Sequence, residues 1–203
     1  MKEIILLKLG EVVLKGLNRR SFEDVLLRTI RRRLAGLGDF DVKERQSTIY
    51  VTPRGGEDLF EAQERLSRVF GIASLTRARE ADKEMDAILE AAAEYLRPQL
   101  SAARTFKVES KRSDKSFPLK SPEISAEVGA YIMENFPHLT VDVHNPDLVV
   151  MVEVRDFGAY IHGSSIPGAG GIPVGTGGRA ALLISGGIDS PVAAWMMARR
   201  GVE

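Results

Sequence analysis

Apolar residues recur at every third or fourth position in several segments of the chain, a spacing typical of helices with one buried face. Between these segments lie short apolar or alternating runs that indicate strands. In the first 80 residues the resulting order is β-α-β-β-α-β, the ferredoxin-like arrangement. The helices of this part are predicted at residues 18–35 and 58–70, and the strands at residues 4–9, 40–43, 48–52 and 72–80.

A second α/β unit follows and ends near His162. Residues 163–178 then hold seven glycines and two prolines, which is typical of a linker. Residues 180–184 are a continuous apolar run, as expected of a central parallel strand, and Pro191 opens a further helix. The helices of the second unit are predicted at residues 83–96 and 122–136, and its strands at residues 104–111, 141–143, 148–154 and 159–161.

Composition excludes several kinds of chemistry. The 203 residues include no cysteine, so they hold no disulfide, no Cys-ligated metal and no persulfide-forming thiol. The three histidines lack the spacing of a metal site. No apolar run approaches the ~20 residues that span a bilayer, and the start does not read as a secretion signal, so we expect a cytoplasmic protein with no membrane partner. The net charge is zero, yet residues 1–80 carry +4 and residues 81–178 carry −5, so a local polyanion-binding patch is compatible with the total.

The segment with the most chemical content is Ser-Gly-Gly-Ile-Asp-Ser at residues 185–190, between a predicted strand and a predicted helix. Glycines let backbone N–H groups approach phosphate oxygens, and a helix N-terminus adds partial positive charge. The segment is not a Walker A loop, because it lacks the GxxxxGK[ST] pattern. The alternative is a tight strand–helix turn without a ligand. Hydroxyls at both ends and an acid inside favour the phosphate loop.

This string resembles the PP-loop of the ATP pyrophosphatases, which cleave ATP between the α and β phosphates. The resemblance implies that the loop serines and glycines cradle the pyrophosphate part of ATP. It implies a catalytic role for Asp189, through Mg²⁺ or by holding the loop shape. Backbone groups at the carboxyl end of the strand would meet the adenine, since ligands of open α/β sheets bind there. The implied ATP-binding residues are Leu183, Ile184, Ser185, Gly186, Gly187, Asp189 and Ser190.

Over nearly its full length, the chain resembles the tRNA 4-thiouridine synthetase family, tRNA sulfurtransferases also linked to thiamine thiazole synthesis. The resemblance is carried by five segments, LGEVVLKGLNRRSFE, FKVESKRSDKSFPLKSPEI, NPDLVVMVEVR, GAGGIPVG and LLISGGIDSPVAAWMMARRG. It implies a mixed α/β and α+β protein with a ferredoxin-like domain, a THUMP α/β domain and a doubly wound PP-loop domain. The expected bounds are residues 1–76, 77–165 (with an alternative start near residue 60), a linker at 166–178, and an incomplete PP-loop domain at 179–203.

In this family, ATP activates O4 of the uridine at tRNA position 8, and persulfide sulfur from a cysteine desulfurase then replaces it. The resemblance implies that the family's catalytic cysteine lies beyond Glu203. One strand–loop–helix is also too little to form a doubly wound sheet. We therefore expect these 203 residues to bind the tRNA acceptor end but to be inactive alone. The helix from Pro191 lacks its covering sheet. We expect it to be disordered, to pack on the preceding domains, or to pack on a second copy in a homodimer.

Basic residues cluster in residues 104–120, within an otherwise acidic part of the chain, and again in the turn at residues 15–20. On composition alone, the first cluster is equally compatible with a solvated strand face. Resemblance to the THUMP segment favours tRNA binding, with Phe117 available to stack on a base. The arginines at 31–33 are a weaker candidate, because a charge run on a helix is more often a solvated face. The candidate RNA-binding residues are Lys15, Arg19, Arg20, Arg104, Lys107, Lys111, Arg112, Lys115, Phe117 and Lys120.

Two alternative functions remain open from the sequence. One is a non-catalytic RNA-binding module in which the loop at residues 185–190 is vestigial. The other is a different PP-loop ATP-dependent synthetase, such as one that amidates a small molecule. ATP binding by a longer form would argue against the first alternative, and salt-sensitive tRNA binding against the second.

Overall fold

The computed structural model describes the backbone of residues 2–203 and their side chains other than that of Leu17. The chain divides into two compact units, each with its own apolar core. The first unit consists of Ile5–Thr76 and Ser165–Glu203. The second consists of Arg77–Ser164 and the residues up to Ile4. The predicted fold class, a ferredoxin-like part followed by a further α/β part, is confirmed.

The first unit contains the β-α-β-β-α-β order that the sequence predicts. Neighbouring strands follow the order β2-β3-β1-β4, and β3 runs antiparallel to both β1 and β2. Val51 on β3 lies opposite Ile5 on one side and Val42 on the other, which sets the register of the apolar face. The elements are β1 (Glu3–Leu9), α1 (Arg19–Leu34), β2 (Phe40–Arg45), β3 (Thr48–Pro53), α2 (Leu59–Ser67) and β4 (Ile72–Ala81).

The helices of the first unit bury the faces that their periodicity predicts. Helix α1 buries Leu26, Ile30 and Leu34, which are spaced by four residues and therefore share one side. Helix α2 starts at Asp58, whose carboxylate accepts the backbone N–H groups of Phe60 and Glu61 at 2.8 and 3.1 Å. This cap satisfies two donors that the first helical turn leaves without intrahelical partners.

The second unit alternates helices and strands around a sheet in the order β4-β8-β7-β5-β6. Strands β5 and β7 are parallel, whereas β7 and β8 form an antiparallel pair. The short helix α4 was not predicted, because Pro98 and the few apolar residues around it give no helical periodicity. The elements are α3 (Met85–Tyr95), α4 (Arg97–Ala102), β5 (Thr105–Arg112), α5 (Ser121–Asn135), β6 (Thr140–Val141), β7 (Leu148–Arg155) and β8 (Gly158–His162).

Strand β7 has a different chemistry on each face. Val150, Val152 and Val154 point into the core that α3 and α5 help to form. The opposite face carries Glu153, which is only 1% exposed. Its carboxylate accepts the guanidinium Nε of Arg155 at 3.2 Å and lies 3.5 Å from Nε2 of His162. A buried carboxylate with such partners avoids most of the cost of an uncompensated buried charge.

The glycine- and proline-rich segment predicted as a linker is tightly packed within the first unit. Its strand β9 (Ile166–Pro167) pairs antiparallel with β4. Further along, the backbone N–H of Gly71 donates to the carbonyl of Gly170, and the N–H of Gly170 donates to that of Ile72, both at 2.8 Å. A Cβ on Gly168 would lie 2.3 Å from the carbonyl oxygen of Ile72. Glycine therefore permits close backbone approach at this position.

The strand predicted at residues 180–184 is not formed in the described structure. Those residues have no regular secondary structure, and Leu183 and Ile184 are 94% and 78% exposed. A parallel strand requires hydrogen bonds to neighbouring strands. Here the described chain forms only two backbone hydrogen bonds, both near the start of the segment. The backbone N–H of Ala180 donates to the carbonyl of Glu203, and that of Glu203 donates to Gly178, each at 2.9 Å.

Candidate functional site

The loop at residues 185–188 leads directly into helix α6 (Asp189–Arg199). Hydrogen bonds between the two loop serines close it. The backbone N–H of Ser185 donates to Oγ of Ser190 at 3.2 Å, and the Ser190 hydroxyl reaches the Ser185 carbonyl at 3.4 Å. Oγ of Ser185 also accepts the backbone N–H of Gly187 at 3.4 Å. The sequence spacing thus brings both serines together at the start of a helix.

The arrangement has the elements of an anion site at a helix N-terminus. The first N–H groups of α6 have no intrahelical partners, and the helix dipole adds partial positive charge there. Neither Gly186 nor Gly187 would bring a Cβ against another part of the described chain, apart from the Ser185 hydroxyl at 3.5 Å. The loop is solvent-exposed, so a ligand has access to its backbone.

Asp189 lies in the first turn of α6 and is exposed. Among the described residues, no group of three or more His, Asp or Glu side chains could hold a metal ion. One carboxylate suits Mg²⁺ only when substrate phosphates and water complete its coordination. Asp189 therefore fits a nucleotide-bound metal and does not by itself form a protein metal site.

Helix α6 is anchored within the first unit through its aromatic residue. The ring of Trp195 meets the ring of Phe70 edge-on, with the centroids 5.7 Å apart, and the guanidinium of Arg199 lies 5.1 Å from the Trp195 ring centre. Arg200, just beyond the helix, pairs with Glu11 at 3.2 Å. Of the three outcomes expected for this helix, the structure shows packing on preceding residues of the chain.

The basic residues of the second unit lie at two different ends of β5. Arg104 precedes the strand, and Lys111 and Arg112 close it. An eight-residue strand is about 25 Å long at ~3.3 Å per residue, so the basic segment is not one compact patch. Arg104 instead borders a cavity of about 590 Å³, together with Gln99, Asp147 and other residues of the same end.

A loop with a buried acid follows β5. Asp114 is 7% exposed, and its carboxylate accepts Nζ of Lys83 at 2.7 Å and the backbone N–H of Ser116 at 2.8 Å. The hydrogen bond from the Lys83 ammonium, followed by those from Ser116, holds the pKa of Asp114 well below its usual range. Sequence analysis missed this residue. The only sequence signal that Asp114 holds this loop together was its position as an acid inside a basic run.

The burial of Phe117 contradicts the prediction that its ring stacks on a base. Phe117 is part of the core of the second unit and is 6% exposed. Arg112 donates to the Phe117 carbonyl at 3.0 Å and so braces the loop from within. Lys107 is engaged with Glu109 at 2.7 Å.

Although Arg112 and Lys107 make these contacts, other cations at and beyond the C-terminal end of β5 stay exposed. Lys111, Lys115 and Lys120 are exposed, and no carboxylate of the described residues lies within ion-pair distance of them. We call these three residues the lysine edge. Its cations come from a strand end, a loop and the residue before α5, so the tertiary fold brings them to one end of the sheet.

The basic turn of the first unit is partly committed to local contacts. Arg19 pairs with Glu23 at 2.6 Å and donates to the Ser47 hydroxyl at 3.0 Å. Nζ of Lys15 lies 4.9 Å from the centre of the Phe22 ring, a cation–π arrangement. Arg20 is exposed. Of the three predicted residues, Arg20 is the most accessible to a polyanion.

These features define a class of protein: a ferredoxin-like unit and a second α/β unit, in a chain that also carries a serine- and glycine-rich loop at a helix N-terminus. Family models agree with this division. The ThiI ferredoxin-like domain matches residues 4–76, the THUMP domain matches residues 82–162, and the model described as thiamine biosynthesis protein (ThiI) matches residues 175–203. The chain belongs to the ThiI family.

Individual relatives support the same family. The chain is 47% identical to a probable tRNA sulfurtransferase of Caldanaerobacter subterraneus subsp. tengcongensis, over all of this chain and 52% of the relative. Among solved structures, a 4-thiouridine synthetase in complex with RNA and bound ATP is 36% identical, with a TM-score of 0.86 over all of this chain and 51% of that one. A protein of Pyrococcus horikoshii Ot3 is 32% identical, with a TM-score of 0.88 over 99% of this chain and 66% of that one.

The chain spans about half the length of the curated relatives it matches. Among residues 2–203, no helix has the length and apolar character needed to cross a membrane.

Proposed function

We propose that this chain is the RNA-binding and pyrophosphate-binding part of an ATP-dependent tRNA sulfurtransferase that makes 4-thiouridine at tRNA position 8. The observation that carries the proposal is the serine-closed loop on the N-terminus of α6, in a chain that also has a THUMP domain. A loop alone is compatible with many nucleotide enzymes, and a THUMP domain alone with many RNA-binding proteins. Their combination in one chain supports tRNA adenylation.

In the proposed reaction, O4 of the uridine attacks the α-phosphorus of ATP and pyrophosphate leaves. The open backbone N–H groups of the loop and of the first turn of α6 would hold the departing pyrophosphate, whose negative charge the helix dipole favours. The Ser190 hydroxyl bonds both the N–H and the carbonyl of Ser185, and so would keep the loop in this shape. Mg²⁺ bound to the phosphates, with Asp189 as one ligand, would neutralise part of their charge.

The second half-reaction replaces the adenylated oxygen at C4 with sulfur and releases AMP. None of the 203 residues is a cysteine, so a persulfide on a cysteine outside them, charged by a cysteine desulfurase, would supply the sulfur. Its outer sulfur would bond to C4 as AMP leaves, and a second thiol would break the remaining S–S bond by forming a disulfide with the carrier cysteine. Cytoplasmic location and a homodimer stay predictions.

The lysine edge is the proposed contact with the phosphates of the tRNA acceptor end. Exposed, unpaired ammonium groups on a loop can follow the RNA backbone, and each phosphate contact adds about 0.7–0.9 to the log–log salt slope of binding. The experiment is binding of an RNA hairpin with a single-stranded 3′ end to the triple variant Lys111→Gln, Lys115→Gln, Lys120→Gln. We expect weaker binding and a salt slope lower by up to about 2 to 3.

The matched control removes the same charge from paired surface cations. Lys43, Arg54 and Arg65 pair with Asp41, Asp39 and Glu61 in the first unit. Their triple Gln variant should keep the wild-type slope. An unchanged slope in the lysine-edge variant would rule out the edge as the RNA contact. For the loop, Ser190→Ala in a form extended to the length of the curated relatives should slow pyrophosphate release while RNA affinity stays unchanged.

A further inference from the structure

A groove in the first unit lies beside helices α1 and α2 and has a volume of about 540 Å³. Arginine dominates its rim. Arg28, Arg32 and Arg33 come from α1, and Arg68 comes from the residue that follows α2. The remaining lining residues are mainly apolar or small. They are Val25, Thr29, Val69, Phe70, Val174, Gly175 and Glu203.

The three arginines of α1 are not committed to other contacts. Among residues 2–203, no carboxylate lies within ion-pair distance of Arg28, Arg32 or Arg33, and all three are exposed. Arg68 instead pairs with Glu64 at 2.5 Å. The one acid of the groove, Glu203, is 3.2 Å from Nε of Arg179. The groove therefore carries a surplus of positive charge.

Helix electrostatics explain only part of this surplus. Cations near a helix C-terminus are favoured by the macrodipole, and Arg31–Arg33 occupy the last turn of α1. The C-terminal ends of α1 and α2 each carry a partial charge of about −0.5, and their attraction for cations fades beyond the last helical turn. Arg28 lies six residues before the helix end at Leu34, and Arg68, the residue that follows α2, lines the same groove. A solvated helix face would not require cations from two helices to converge.

We infer that this arginine groove binds the sugar–phosphate backbone of the RNA that the chain recognises, as a second contact apart from the lysine edge. Guanidinium groups match phosphate oxygens in bidentate geometry, which makes arginine suited to this role. Arg28 and Arg32 are one helical turn apart, about 6 Å along the axis, so they can meet different phosphates of one strand. The inference rests on the proposed RNA binding, and it adds Arg28 to Arg32 and Arg33, which the sequence ranked as a weaker candidate.

The test is the triple variant Arg28→Gln, Arg32→Gln, Arg33→Gln, measured with the same RNA hairpin over a salt series. Glutamine has a helix propensity close to that of arginine, so α1 is retained. We expect weaker binding at low salt and a log–log slope lower by up to about 2 to 3. The single variant Arg28→Gln should lower the slope by about 0.7–0.9 and serves if the triple variant does not fold.

The Lys43, Arg54 and Arg65 control variant and the lysine-edge variant are measured in parallel. If the groove variants keep the wild-type slope while the lysine-edge variant does not, the inference is overturned and the proposed function stands. If both variants keep the wild-type slope, neither surface is an RNA contact, and the groove inference and the lysine-edge proposal are both overturned. A lower slope in the groove variants but not in the control supports the groove, whatever the lysine edge does. If the groove instead binds an acidic protein, the groove variants should bind RNA as well as wild type does, and this result would also overturn the inference.

Discussion

The contact between Phe70 and Trp195 helps to anchor helix α6, which follows the loop at residues 185–188, and its loss should weaken the attachment of that helix. Trp195 is 48% exposed, so about half of a surface of roughly 250 Å² is buried, which stabilises the attachment by about 3 kcal/mol at ~25 cal/mol per Å². An edge-on aromatic pair adds about 0.5–1.5 kcal/mol. Phe70→Ala removes the pair and part of the buried area, so we expect α6 to be held more weakly by about 1–3 kcal/mol.

The assay uses the tryptophan itself, because Trp195 is the only one in the chain. A loss of 1.4 kcal/mol changes an equilibrium tenfold. Acrylamide should therefore quench Trp195 more efficiently in Phe70→Ala, and its emission should shift toward that of a solvated indole. Phe60→Ala, at a 66% exposed site on α2, is the control and should leave quenching unchanged. Equal quenching in wild type and Phe70→Ala would refute the anchoring role of this contact.

Three further outcomes concern stability. Hydrogen bonds to Lys83 and Ser116 lower the pKa of Asp114 in the folded state. The ionised carboxylate therefore stabilises the fold above about pH 4. This contribution is lost as the pH falls from there toward the lower pKa of the folded state. Asp114→Asn should thus have a lower urea midpoint than wild type at pH 7, and the gap should narrow below about pH 4; a constant gap would contradict the linkage. Asp58→Ala should cost about 1 kcal/mol in urea unfolding through loss of the α2 cap, whereas Asp58→Ser should restore most of it. Phe106→Ala, at a fully buried site, should cost about 3–5 kcal/mol, and a value below 1 kcal/mol would be incompatible with the packing.

The fold of both units was largely predictable because its signals are local. The spacing of Leu26, Ile30 and Leu34 defines the buried side of α1, and the two-residue period of β7 places Val150, Val152 and Val154 on the face opposite Glu153. Such periodicities act through the geometry of one helix or one strand, whatever the rest of the chain does. The position of residues 185–190 at the start of a helix was predictable for the same reason, since their glycines and serines are contiguous, whereas phosphate binding by them stays a prediction.

The errors arose where partners distant in sequence decide the outcome. Residues 180–184 have the composition of a strand, but a parallel strand requires neighbours to hydrogen-bond, and these residues lie exposed. Phe117 has an aromatic ring that could stack on a base, yet the ring lies in the core of the second unit. The glycine-rich segment has the composition of a linker, and only the tertiary structure shows that its backbone is hydrogen-bonded to β4 at Ile72 and Ala73.

The sequence by itself determined the β-α-β-β-α-β order of the first unit, the buried faces of its helices and the position of residues 185–190 before a helix, because each depends on residues close together in the chain. Only the tertiary structure decided which cations are available to a polyanion. Arg19 and Lys107 look as basic in the sequence as Lys115 does, but carboxylates on the folded surface engage them. Arg28 and Arg68 are 40 positions apart, and they share a groove because α1 and α2 pack on the same core. The sequence gives the number and order of the charged residues. Whether a given cation can contact a polyanion depends on which groups the fold places within a few ångströms of it.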